Sequence, residues 1–372
     1  MDVAIVGATG SCGRQVAAQL IERSLLPETA TLHLVGHEGG AHESQLWGLR
    51  ADLSDAFADR SPNIEVGTDV ADSNADVIVM MAGATVTRET ADRAALAQIN
   101  RQIFTEVAES IGKMRRDVTV IVQSNPIELA ISIFGQHVPR RQLIGAAAWS
   151  DSLRFERELA SELGIRRPMV SAQCWGQHGD HLVPIWSRVS VRGVPEQRLA
   201  DTIGAAREGR ALADFPEEII ETRTRMLMLI NQGDVSGAFS FIQECPPVLR
   251  AAVKPFFIHF SSATTKLATA HAVVDLLEFF ARGRTVVIPG QVVLDGEFGG
   301  LRGPLAVPVL LDQRGWSQVI ELPIENDERI ALENSSRAVE VANESRAAQT
   351  CTEQRPAQQT GGRNAPYVVR GT

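Results

Sequence analysis

Through the first 150 residues, short apolar runs alternate with stretches of helical spacing. Val3–Val6 is the first run and ends in a glycine turn, Gly7-Ala8-Thr9-Gly10-Ser11-Cys12-Gly13; Val16, Leu20 and Ile21 then fall on one helix face. The pattern recurs. Runs at 31–35, 76–81, 118–122 and 143–146 read as strands, and the near-continuous 76–81 run suits a strand covered on both faces. Leu96, Ile99, Ile103, Val107 and Ile111 set out a helix between two of them. Strand, turn and helix in repetition predict an α/β unit built on a parallel sheet and closing near residue 148.

From 149 onward the pattern changes. Phe155, Leu159 and Leu163 share a helix face, 182–186 reads as strand or buried loop, and 195–255 is mostly helical. In that stretch Pro216-Glu217-Glu218 starts a helix, Met226, Met228 and Ile230 form its apolar stripe, and Pro246-Pro247 breaks the chain. Residues 262–281 read as another helix, 284–296 as a hairpin region, and 325–341 as the last amphipathic helix. Beyond about 346 the periodicity is lost and the glutamine- and glycine-containing sequence reads as a disordered tail. The expected division is therefore 1–148, 149–345 and a tail, 346–372.

Composition narrows the possible partners. Apolar residues make up 44% of the 372, enough for a sizeable core, and a formal charge of −9 argues against nucleic acid or an anionic membrane surface. An anionic ligand must then be held by a few local arginines. The four cysteines (Cys12, Cys174, Cys245, Cys351) lie far apart without metal-ligand spacing, so they read as free thiols in a reducing compartment, and no metal site is expected. The start enters a strand directly and no apolar run approaches the ~20 residues that span a bilayer, which predicts a cytoplasmic chain.

Candidate chemistry lies at strand ends. In the glycine turn, Gly7 permits the tight bend, Gly10 lets backbone approach a pyrophosphate, and Gly13 lets helix pack on strand, with free helix N–H groups facing the phosphates. Such a turn also serves packing alone; at the first strand it points to a dinucleotide. The second strand ends in Gly36-His37-Glu38 where an acidic residue would take the ribose hydroxyls of NAD. The glycine removes repulsion against a 2′-phosphate, yet Glu38 can restore NAD preference, and His37 is otherwise an ordinary loop residue, so NAD and NADP both stay open. Arg88 and Arg93 follow the third apolar run, where open sheets bind ligands, or else they belong to a solvated loop. Asn125, fixed before Pro126, is a candidate for a substrate hydroxyl or carbonyl and alternatively a plain turn residue. Asp151 and Arg154 share a helix face, either as a surface ion pair or as the partner of a histidine and a clamp for a carboxylate. That histidine is His178, in Gln173-Cys174-Trp175-Gly176-Gln177-His178-Gly179-Asp180.

In this order, with Ser124-Asn125-Pro126, Asp151-Ser152-Leu153-Arg154-Phe155, Gln177-His178-Gly179-Asp180 and Gly296-Glu297-Phe298-Gly299, the chain resembles the lactate/malate dehydrogenase family over roughly residues 2–341. The resemblance implies a doubly wound Rossmann sheet followed by a mixed α/β catalytic domain. It implies His178 as proton donor and acceptor, Asp151 as its orienting carboxylate, Arg154 on the substrate carboxylate and Arg93 polarising the carbonyl. Asn125 and Ser262 (or Ala263) would line the substrate. Gly7, Gly10, Ser11, Cys12, Gly13, Gly36, His37, Asn100 and Asn125 would meet the NAD or NADP. The expected reaction interconverts an (S)-2-hydroxy acid and its 2-oxo acid, best malate and oxaloacetate, in a homo-oligomer, dimer or tetramer.

Three departures leave the substrate open. The acidic residue after the second strand is missing. The loop from Gly83 to Arg93 is one residue longer than the family's, so the selecting position falls on Val86, Thr87 or Arg88; an inward Arg88 would bind a second carboxylate. Between His178 and Ser262 the chain is about thirty residues longer, as an extra helical segment within about 205–255. A lactate-like substrate, an NAD-dependent glycosidase using Cys174 and His178 on a metal, and a non-catalytic dinucleotide-binding or assembly protein are the competing readings.

Overall fold

The computed structural model describes residues 1–84, 93–114, 117–207, 209–260 and 266–353. Its first part runs β1 (Val3–Val6), α1 (Ser11–Glu22), β2 (Thr31–Val35), α2 (Gly40–Ala56), β3 (Asn63–Gly67), β4 (Val77–Met80), α3 (Arg93–Gly112), β5 (Thr119–Val122), α4 (Ile127–Phe134) and β6 (Leu143–Gly145). These strands pair in parallel in the order β3-β2-β1-β4-β5-β6, the doubly wound arrangement. Every residue of β1, β4 and β5 is buried, because helices cover both faces.

The second part continues with α5 (Ala147–Leu163), β7 (Val170–Gly176), β8 (Leu182–Val191), α6 (Glu196–Arg207), α7 (Phe215–Asn231), α8 (Val235–Glu244), α9 (Pro247–Phe260), α10 (Leu267–Ala281), β9 (Val286–Asp295), the irregular turn α11 (Glu297–Gly300), β10 (Arg302–Asp312), β11 (Gly315–Val319) and α12 (Asn326–Glu353). The sheet does not stop at β6. It continues antiparallel through β9, β10, β7 and β8, with Gly145 of β6 facing Gln291 of β9. A Cβ on Gly145 would lie 2.8 Å from the Gln291 side chain, so the junction between the two parts requires a residue without one.

Two apolar layers cover the sheet. One packs α1 and α10 on β1, β2 and β9, and the other packs α3 and α4 on β4 and β5. A third cluster joins α5, α7 and α9 to β7 and β8, and a satellite of Met226, Ile230, Ala238, Ile242 and Val253 holds α7, α8 and α9 together. Each aliphatic side chain buried this way contributes about 1.5–3 kcal/mol.

Several expectations need correcting. Ile99 is exposed, and the buried face of α3 runs through Asn100, Phe104, Ala108 and Ile111; a polar Asn100 sits on it because its amide is fully hydrogen bonded. Met228 is exposed too, since a residue two positions from Met226 turns about 200° away from it around the helix. The 284–296 region holds one arm of a hairpin, β9, whose other arm is β10. The last helix does not end at 341. It runs to Glu353, past the expected start of the tail; residues 354–372 and 261–265 lie outside the described residues.

Candidate active site

The expected catalytic residues meet at the C-terminal ends of the parallel strands, carried by different elements. Helix α5 starts directly after β6, which brings Asp151 and Arg154, one turn apart, to the end of the sheet. The loop between β7 and β8 presents His178. Its Nδ1 lies 2.7 Å from Asp151 Oδ2, and Arg154 Nη1 donates to Asp151 Oδ1 at 3.0 Å. The carboxylate therefore links the imidazole and the guanidinium. An acceptor at Nδ1 keeps the proton there and leaves Nε2 to face a reacting hydroxyl. Because Arg154 uses one arm on Asp151, the rest of its guanidinium fork can receive a carboxylate. Read from sequence, the Asp151/Arg154 pair has two alternatives, ion pair or catalytic parts; here it is an ion pair and the histidine's partner at once.

The electrostatics follow from this geometry. Burial works to lower the His178 pKa, but the Asp151 charge and hydrogen bond, aided by Glu128, outweigh it, so the imidazole titrates above its ordinary value. Burial works to raise Asp151, and His178 and Arg154 together hold it below the ordinary carboxylate range. Glu128, a buried residue in the first turn of α4, accepts the backbone N–H of His178 at 2.7 Å, and burial pushes its pKa up. Sequence reasoning missed Glu128, although a lone carboxylate in the apolar run Ile127–Phe134 was a usable signal. It also missed Ser335 of α12, whose Oγ accepts the Gln177 N–H at 2.7 Å and donates to the His181 carbonyl at 2.7 Å. No spacing pointed to that residue.

The glycine turn lies at the end of β1. Gly7 has φ +85, and a Cβ there would sit 2.6 Å from the Ala82 amide nitrogen; on Gly13 it would sit 2.4 Å from the Gly7 carbonyl oxygen. Both contacts are with backbone, so neither glycine can be replaced cheaply. Gly10 is the N-cap of α1 and no side chain caps the helix, which leaves the amides of Ser11 and Cys12 directed at the mouth of the turn. That cradle suits a pyrophosphate. The Cys12 side chain stays a thiol: burial, against a smaller opposing effect of Lys266, raises its pKa to about 11.

Other expected residues are placed less simply. A Cβ on Gly36 would meet the Leu46 side chain at 2.9 Å, so this glycine also answers to the packing of α2, apart from any 2′-phosphate. His37 is exposed, its Nδ1 3.0 Å from the Glu38 carbonyl. Asn100 holds no amide free for a cofactor. Its Oδ1 accepts from the Ala84 N–H at 2.6 Å, and its Nδ2 donates to the Ala84 and Asn125 carbonyls at 2.9 and 2.8 Å, splicing the loops after β4 and β5. Asn125, preceding a cis Pro126, keeps an exposed side chain at that strand end. Arg93 is the first residue of α3, while its side chain, Val86, Thr87, Arg88 and Ser262 lie outside the described residues. Cys174 is buried with its thiol pKa pushed well up, and among the described residues no three His, Cys, Asp or Glu side chains gather as a metal site.

Residues 1–145 match the family model described as lactate/malate dehydrogenase, NAD binding domain. Over that stretch the chain is similar to lactate and malate dehydrogenases. Among its relatives, the L-2-hydroxycarboxylate dehydrogenase (NAD(P)(+)) of Methanocaldococcus jannaschii is 25% identical over 352 residues, covering 91% of this chain and 97% of that one. A malate dehydrogenase of Chlorobium chlorochromatii is 25% identical over 346 residues, covering 91% and 96%. Among solved structures, a Cryptosporidium parvum lactate dehydrogenase complexed with lactic acid and nicotinamide adenine dinucleotide superposes with a TM-score of 0.72 at 22% identity, covering 93% and 98%. That last likeness is one of fold. Among the described residues, no helix is long and apolar enough to cross a membrane.

Proposed function

We propose that this protein is an NAD(P)-dependent dehydrogenase interconverting a small (S)-2-hydroxy acid and its 2-oxo acid, with malate and oxaloacetate as the substrate pair. The observation that carries the reading is the 2.7 Å contact between His178 Nδ1 and Asp151 Oδ2, with Arg154 one turn along the same helix. The relatives named above act in their own names on malate or on 2-hydroxycarboxylates, which supports the substrate class.

The nicotinamide cofactor, when bound at the glycine turn, supplies or accepts the hydride. The chain's own residues handle the rest. In oxidation His178 Nε2 accepts the hydroxyl proton, and the Asp151 carboxylate stabilises the resulting imidazolium and fixes its tautomer. In reduction the same nitrogen returns the proton to the carbonyl oxygen. Arg154 holds the substrate carboxylate, which aims C2 at the imidazole. Arg93 and Arg88 are the residues we assign to the carbonyl oxygen and to a second carboxylate, with Asn125 and Ser262 on the substrate wall.

His178→Ala is expected to lower turnover about 10²–10⁴-fold while nucleotide affinity holds. Unchanged oxidation of NADH or NADPH against oxaloacetate, pyruvate and bulkier 2-oxo acids in that variant rejects the assignment. Arg88→Gln tests the substrate: oxaloacetate turnover surviving undiminished means that Arg88 does not read a second carboxylate, and a monocarboxylic substrate takes its place. We extend the reading to a cytoplasmic homo-oligomer, dimer or tetramer, on the free thiols of Cys12, Cys174 and Cys245 and the half-exposed Trp47 and Leu267. A single monomeric species in sedimentation velocity rejects the oligomer.

A further inference from the structure

The loop that carries His178 is built to bend. Gly176 (φ +80) and Gly179 (φ +144) flank Gln177 and His178, and both lie where a side chain is strained. Two glycines give the loop little stiffness of its own, so its shape must be imposed by neighbours. Ser335 and Glu128 grip its backbone from α12 and α4. A third grip comes from α7. Arg223 donates from Nη1 and Nη2 to the two carboxylate oxygens of Asp180, the second at 3.1 Å, and Asp180 directly follows Gly179.

The guanidinium is itself held in place. It lies over the Phe256 ring of α9 with 4.9 Å to the centroid, and Arg223 is only 9% exposed. A two-point fork stacked on a ring fixes orientation as well as distance, which a lysine cannot do. The arrangement reaches the imidazole in two steps, from Arg223 to Asp180 and through Gly179 to His178. We propose, resting on the dehydrogenase reading above, that Arg223 is a positioning residue for His178: helix α7 fixes the Gly179 corner through Asp180 and so keeps the imidazole in register with Asp151 and the substrate.

The effect belongs on turnover and not on cofactor binding, because the glycine turn sits at the other half of the sheet. A misplacement of about 1 Å at a reacting group costs roughly 10²-fold in rate. Arg223→Gln is therefore expected to lower kcat about 10- to 100-fold per cofactor-binding-competent enzyme, with KM for NADH or NADPH unchanged. Arg223→Lys, which keeps charge and bulk but cannot fork, is expected to recover part of that loss. Asp180→Asn should resemble Arg223→Gln, and the double variant should be no slower than the slower single one, since both break one link.

Wild-type kcat in Arg223→Gln overturns the inference, as does a double variant whose loss is the product of the two single losses. An Arg223→Gln protein that fails to fold shifts the test to Arg223→Lys. There, reduced kcat at an unchanged melting temperature supports the positioning role, and wild-type kcat overturns it. His178→Ala assayed alongside separates the two levels. Turnover lost in His178→Ala but flat across the Arg223 variants removes this inference alone, whereas turnover kept in His178→Ala removes the dehydrogenase reading.

Discussion

The glycine turn and the His178 centre solve recognition in opposite ways. The turn is local: seven residues supply a positive-φ bend, two positions closed to any side chain, and an uncapped helix start. Its contacts are backbone, so what matters is which residues lack a Cβ. The histidine centre is dispersed. Asp151 and Arg154 come from α5, Glu128 from α4, Ser335 from α12 and Arg223 from α7, and none of these lies within twenty residues of His178. A local device tolerates change elsewhere in the chain. A dispersed one depends on every element that feeds it.

Substitutions should separate the two. The largest effect is expected from Asp151→Asn, with kcat/KM about 10³-fold lower and cofactor binding by fluorescence titration unchanged. The same change moves the acid limb of the oxidation rate to lower pH. Oxidation needs a neutral His178, Asp151 raises the imidazole pKa, and removing that charge lets the group deprotonate earlier as pH rises. A limb that stays in place or moves up contradicts the pairing.

Next is Glu158→Gln. Glu158 is buried on α5 against Arg250 Nε at 2.8 Å and Lys254 Nζ at 2.6 Å, both on α9, so neutralising it takes the carboxylate from Lys254, leaves Arg250 with Glu162 alone, and costs about 3 kcal/mol in chemical denaturation. Cofactor affinity should not move. If it weakens in step with stability, the two regions are less independent than the geometry indicates.

Gly13→Ala should show the reverse pattern. The added methyl meets the backbone of Gly7 and Ala8, so cofactor dissociation is expected to rise at least about 10-fold and stability to fall by about 1–3 kcal/mol. Saturating cofactor should restore kcat, and failure to do so would place the turn in the chemistry.

The smallest effect concerns Glu156, whose pKa burial raises to about 7 despite the Ala172 N–H and Arg167. Its folded pKa exceeds the unfolded one, so the proton-linked stability is complete below the unfolded carboxylate pKa and is lost as pH rises through about 7. Glu156→Gln is expected to stabilise the protein by about 1–2 kcal/mol at pH 8 and by nothing near pH 4. An equal gain at both pH values would deny the titration.

Much of this was legible in the chain, for unequal reasons. The strand Thr31–Val35 was read to the residue because its run of Leu32, Leu34 and Val35 stops at Gly36. The stripes of α3 and α7 were each misread at one residue, Ile99 and Met228, because an apolar residue at the edge of a stripe carries no sign of which side it falls on. Asn100 read as a cofactor contact, and its amide instead joins two loops, a choice made by neighbours 16 and 25 residues away.

By itself, then, the sequence determined the parallel α/β order, the glycine turn and the identity of the histidine, aspartate and arginine. Each of those is encoded by periodicity or by residue type within a few positions, and short-range sterics suffice to specify them. Only the tertiary structure decided that Glu128, Ser335 and Arg223 converge on the His178 loop, and that one carboxylate, Asp151, links His178 to Arg154. Hydrogen bonds between side chains far apart in the chain leave no periodic trace, and they exist only once the helices that carry them have packed.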